Sequence, residues 1–217
     1  MTLASNLKLA RFYQFFETYG TERLNGLDES YFVDLTRDER EEAWNFLKLG
    51  IPTSYERIKG LYLLDRDRAI QLFKAAIELP IEASHSASER EQLESSRLLM
   101  LSYINIVEHD SKYINAMAEF SNSEFPHIRG QFARALPVHQ ITPESVEALK
   151  NIIFTETHTG TRSAAITKFM SIHGLKFKLK DPVYDSIYLS LRSDEPKDKL
   201  SAISRLEAMK QPDYLLR

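Results

Sequence analysis

Apolar residues recur every three or four positions along almost the whole of this chain. The first segment runs Leu3, Leu7, Ala10, Phe12, Phe15, Phe16, Tyr19, a spacing that lays a wide stripe along one face of a helix. Ala43, Trp44, Leu47 and Leu49 form a second such stripe. Start signals punctuate the pattern. Thr36 with Glu39, Thr53 with Glu56, and Ser88 with Glu91 have the spacing of a capping box. Thr142-Pro143 and Asp181-Pro182 read as an N-cap and a first-turn proline, and Pro126 and Pro196 stand just ahead of other periodic segments. Proline is tolerated there because its missing N–H would have had no helical partner. Only seven glycines occur in 217 residues, too few positive-φ positions for a hairpin-rich β protein. The expected fold class is all-α. Helices are predicted at 3–19, 36–49, 54–64, 66–79, 88–108, 111–122, 126–137, 143–155, 160–173, 182–192 and 197–210. Gly20–Leu35 is irregular, with room for a short helix around Tyr31. Leu175–Lys180, where lysine alternates with Phe177 and Leu179, reads as a solvated loop or a short extended segment.

Five helices share one pattern: a basic residue, then small or apolar residues at the third, fourth and seventh places. The copies begin at Arg57, Arg97, Arg129, Arg162 and Lys199 and close on Leu64, Ile104, Leu136, Phe169 and Leu206. A spacing of 30–47 residues with two helices per copy is the mark of helical pairs that bury their apolar faces on one another. Small residues such as Gly60, Ala133 and Ala165 would let neighbouring helices approach closely. The pattern resembles HEAT-like repeats, and Pro126-His127-Ile128-Arg129 approaches their proline and arginine signature. The resemblance implies a right-handed α-α superhelix, helical hairpins stacked into a curved array. It would form a single domain over residues 1–217, with capping helices in 1–50 and repeats in 51–210.

Chemistry is harder to find. With no cysteine, the chain has no disulfide, no thiolate nucleophile and no cysteine-ligated zinc. The histidines are His85, His109, His127, His139, His158 and His173, and no two lie three or four residues apart, so no helix offers a ligand pair to one metal. His173 ends a predicted helix, where it can bond a last-turn carbonyl. Thr159-Gly160-Thr161-Arg162 lacks the lysine and spacing of a phosphate loop and fits helix capping better, and there is no Gly-x-Ser-x-Gly elbow. No catalytic residue, metal or cofactor is expected. No apolar stretch approaches the ~20 residues needed to cross a bilayer, and the N-terminus lacks a signal-peptide core. A cytoplasmic protein with no membrane partner is expected.

Charge is polarised. Residues 1–50 carry six basic and nine acidic groups, whereas residues 151–217 carry eleven and eight. Overall the formal charge is −3, which leaves no general basic field for nucleic acid. Asp28, Glu29, Asp34, Asp38, Glu39, Glu41 and Glu42 crowd the segment leading into the Trp44 helix. An acidic surface of this kind docks a basic partner, and Tyr31 and Trp44 are the expected anchors. The chain therefore reads as a non-catalytic protein-binding module. Small acidic all-α proteins of this type resemble bacterial immunity proteins, which neutralise a cognate toxin, often a basic nuclease, by covering its active site. One alternative is a HEAT-like DNA glycosylase for alkylated bases, but a single tryptophan and an acidic N-terminal segment depart from that family's basic, tryptophan-lined channel. A regulatory scaffold in a larger complex is the other. Lys168, Lys176, Lys178 and Lys180 form a basic C-terminal patch that reads as solvated surface, with phosphate contact the less favoured alternative.

Overall fold

The computed structural model describes residues 3–18, 21–82 and 86–214. Tyr19, Gly20 and His85, named above, lie outside the described residues. Among the described residues there are twelve α-helices and no strand. They are α1 (Leu3–Glu17), α2 (Thr21–Asn25), α3 (Arg37–Lys48), α4 (Tyr55–Leu64), α5 (Arg66–Ile77), α6 (Ala87–Glu108), α7 (Ser111–Ala118), α8 (Pro126–Ala135), α9 (Pro143–Thr155), α10 (Thr159–Ile172), α11 (Pro182–Arg192) and α12 (Pro196–Met209). Two 3-10 turns, Glu29–Tyr31 and Glu119–Asn122, complete the set. The short helix expected near Tyr31 is the first of these, and the predicted 111–122 helix tightens into the second.

The chain divides into two compact units, Met1–Tyr103 and Ile104–Arg217. In the first unit α3 packs on α4 and α4 on α5. At the centre of α1, Phe12 meets Tyr13, Phe16, Phe32 and Phe46 at ring-centroid distances of 5.3–5.7 Å. Farther along, the Tyr62 and Tyr103 rings stack 4.2 Å apart. Burial pushes the Tyr103 hydroxyl up to about 12, with Tyr55 and Tyr62 adding to it. In the second unit α7 packs on α9, α8 on α10, α9 on α10, and α11 on α12. Phe132 and Phe169 are fully buried there.

The basic residues that open the five repeated segments have a common use in four of them. Each donates to a carbonyl at the end of another helical segment. Arg57 reaches Phe46 O of α3 at 2.9 Å, and Arg97 reaches Leu79 O just past α5. Arg129 reaches Ser123 O at 2.7 Å, and buried Lys199 reaches Ile153 O of α9 at 2.9 Å. Last-turn carbonyls have no helical donor and carry the negative end of the helix dipole, so a cation there satisfies both needs. Arg162 differs, pairing with Asp194 at 3.0 Å. The closing residues Leu64, Ile104, Leu136, Phe169 and Leu206 are all buried. At Gly60, an added Cβ would lie 2.9 Å from Leu47 Cδ2, so a larger residue would have to push that buried side chain aside.

Three start signals differ from expectation. α4 is capped by Ser54, which accepts from Arg57 N–H, instead of by Thr53. Ser86 and Glu89 cap α6 reciprocally, two residues before the expected Ser88 and Glu91. The His158 imidazole, not a threonine, caps α10 by accepting from Thr161 N–H. Thr36 with Glu39 forms the expected box, and Thr142 is the expected N-cap, its bond with Ser145 adding a box that was not among those expected.

His173 closes α10 and is buried, with Nδ1 2.6 Å from the carbonyl of Lys210. Nδ1 therefore donates, and Nε2 is left buried without a partner. Burial holds the imidazole below its ordinary range, against the opposing pull of the Lys210 carbonyl. The unfolded chain then takes up this proton more readily than the folded one, so the neutral ring stabilises the fold at high pH and that contribution is lost as pH falls through about 6.5. Urea midpoints measured at pH 7.5 and 5.5 should drop with acid, and His173→Gln should shrink the drop.

Candidate functional site

The acidic segment belongs to the first unit, on a frame set by two caps. Asp28 accepts from Ser30 N–H at 2.8 Å and starts the 3-10 turn Glu29–Tyr31. Its bonds to Ser30 hold its carboxyl below the usual range. Thr36 then starts α3. Glu39 Oε2 accepts from Thr36 N–H at 2.8 Å and from Thr36 Oγ1 at 2.7 Å, while Glu39 N–H donates back to Thr36 Oγ1.

These local bonds decide which side chains face outward. Asp28, Glu29, Asp34, Asp38, Glu41 and Glu42 are exposed. Tyr31, Glu39 and Trp44 are 5%, 5% and 3% exposed, which corrects the expectation that they present contact surface. Glu39, Ala43, Trp44 and Leu47 share the inward stripe of α3. The Tyr31 ring turns in against Phe15 at 5.5 Å, with the Arg11 guanidinium 4.4 Å from its centroid. Trp44 is capped by Arg68, whose guanidinium lies 4.1 Å from the ring. The capping-box spacing already draws Glu39 back onto the backbone, and that signal was present in the sequence.

Several exposed acids are engaged within the chain. Glu41 takes both guanidinium nitrogens of Arg68, at 2.6 and 2.9 Å, and that bond lowers its carboxyl while raising Arg68. Glu42 accepts from Tyr13 OH at 2.9 Å; burial, together with Glu42, lifts that phenol to about 12. Asp34 pairs with Lys8. Glu29 and Asp38 have no ion pair among the described residues.

Arginines from two helices, which the linear charge pattern hid, meet beside these acids. Arg37, Arg40 and Arg68 line a cleft of about 330 Å3 together with Glu41, Trp44 and Asp65. Two of the three are already committed. Arg40 donates to Phe32 O at 3.0 Å and to Leu64 O, and Arg68 holds Glu41. A second, more apolar cleft of about 320 Å3 lies between α5 and α6, lined by Leu79, Pro80, Leu93 and Met100, and Arg97 at its edge is bonded to Leu79 O. No group of three or more histidine, aspartate or glutamate side chains that could hold a metal ion occurs among the described residues. Likewise no helix among them is long and apolar enough to cross a membrane.

No protein-family model matches the chain, and no curated protein and no solved structure matches it. A functional reading therefore starts from the residues themselves. The acidic segment combines exposed carboxylates and a capped backbone with the buried rings of Tyr31 and Trp44.

Proposed function

We propose that this chain is a non-catalytic protein-binding module that neutralises a basic, nuclease-type toxin by direct contact, as an immunity protein does. The observation that carries the reading is the set of six exposed carboxylates within residues 28–42. Their backbone is fixed by the Asp28 and Thr36 caps, so little order has to be imposed when a partner arrives. The contact surface is Asp28, Glu29, Asp34, Asp38, Glu41 and Glu42. Tyr31, Glu39 and Trp44 act from beneath, holding that surface in shape. The wider array is a HEAT-like superhelix of hairpins. Support for it is the packing of alternate helices, α7 on α9 and α8 on α10. A glycosylase of the HEAT-like type would need an exposed indole, and the one tryptophan here lies under Arg68.

The test is kinetic. Association with the basic protein encoded beside this one should be fast at low salt and slow steeply as salt rises. The triple reversal Glu29→Lys, Asp38→Lys and Glu42→Lys should slow association about tenfold or more at 50 mM salt, with a far smaller effect at 500 mM. Stopped-flow fluorescence reads both. An unchanged rate at low salt would remove this face from the proposal.

A further inference from the structure

In the second unit, the connection between α10 and α11 presents an unusual surface. Phe177 and Leu179 are 68% and 76% exposed, interleaved with exposed Lys176, Lys178 and Lys180, and Val183 one residue into α11 is exposed beside them. Among the described residues, no other two large exposed apolar side chains fall within three residues of each other. Here two large ones fall within three residues, each flanked by cations.

The loop is also held in place. α10 ends in a Schellman turn: Gly174 N–H donates to Ser171 O and Leu175 N–H to Met170 O, both at 3.0 Å, with Gly174 at φ +80°. At the other end Asp181 N–H donates to Lys178 O at 3.2 Å, and Lys180 takes the left-handed conformation at φ +58°. The Asp181 carboxylate turns back to cap α11 through Val183 N–H and Tyr184 N–H, so its charge sits on the helix end. The Phe177 ring meets buried Tyr184 edge-on at 5.4 Å and still leaves most of its surface outside.

We propose that this loop, residues 175–181, docks on an anionic lipid surface, with Phe177 and Leu179 entering the interface and Lys176, Lys178 and Lys180 meeting lipid phosphates and carboxylates. Two observations together favour a bilayer over other polyanions. Lysines alone would suit any phosphate, but an aliphatic leucine beside the phenylalanine gains from leaving water for hydrocarbon and gains little from stacking on a base. Nothing in this attachment requires a spanning segment.

Two apolar side chains and three lysines give a weak, reversible attachment, each lysine contributing about fivefold to partitioning on an anionic surface. The experiment is co-sedimentation of the full chain with large vesicles, either of phosphatidylcholine alone or of phosphatidylcholine and phosphatidylserine at 7:3, at 50 and 300 mM salt. Binding is expected on the anionic vesicles at 50 mM, with loss at 300 mM and little on the neutral ones. The variant Lys176→Ser, Lys178→Ser, Lys180→Ser should bind about a hundredfold more weakly. Phe177→Ser with Leu179→Ser should weaken binding while preserving the salt dependence. All five side chains are exposed, so circular dichroism should report unchanged folding. Failure to sediment with anionic vesicles at 50 mM salt would overturn the proposal. So would tighter binding of a single-stranded oligonucleotide that competes the vesicles off, or full binding by the Phe177, Leu179 variant.

Discussion

Replacing Arg129 by methionine is expected to destabilise the second unit by about 3–5 kcal/mol, the usual cost of stranding one partner of a buried ion pair. Arg129 Nε lies 2.6 Å from Glu156 Oε2, and the two side chains are only 20% and 2% exposed. The same guanidinium holds Ser123 O at 2.7 Å. Burial alone would push the Glu156 carboxyl up. Arg129, with the N–H groups of His158 and Thr157, outweighs burial and keeps it below its usual range. A carboxyl lowered in the folded state adds stability above its unfolded pKa and loses that contribution as acid protonates it. In Arg129→Met the charge is stranded, so the penalty is full at pH 7 and should shrink as pH falls below about 4. Urea denaturation at pH 7 and pH 3.5 checks both statements. Adding Glu156→Gln should recover much of the loss at pH 7, because it removes the stranded charge. A penalty under 1 kcal/mol at pH 7 would contradict the account.

The second large effect is Phe12→Ala, expected to destabilise the first unit by about 3–5 kcal/mol. Phe12 is fully buried and packs against four other rings, so truncating it leaves a cavity among them. One of them, Phe32, lies between the Tyr31 turn and Asp34 and sets the entry to α3. The variant should therefore also weaken the proposed partner's binding, in proportion to the loosening of this frame. Phe12→Leu, which keeps most of the volume, should lose far less of both. Thermal unfolding and partner titration on the same samples test the link.

The helices were legible because their punctuation is local. Thr36, Thr142 and Asp181 each sit beside the residues they cap, so a short window contains the whole interaction. Where two windows compete, the sequence does not choose. Ser86 with Glu89 and Ser88 with Glu91 satisfy the same spacing, and the helix takes the earlier pair. The site was half legible. Its charge is a property of the sequence, but the direction each side chain faces depends on where α3 lays its stripe. Trp44 looked like an anchor because tryptophan often is one, yet Arg68, twenty-four residues away, covers it. The repeated basic residue was visible as a pattern. Its purpose was not, because the acceptor carbonyl of Lys199 lies 46 residues back in α9.

The cations that hold helix ends have an evolutionary consequence. Cations such as Arg40, Arg57 and Lys199 are fastened to helix ends, so exchanging them would loosen the scaffold. Glu29 and Asp38 stand exposed with no ion pair among the described residues. On the proposed reading, a lineage carrying this fold can redraw those two charges, and so retune its target, while its framework stays unaltered.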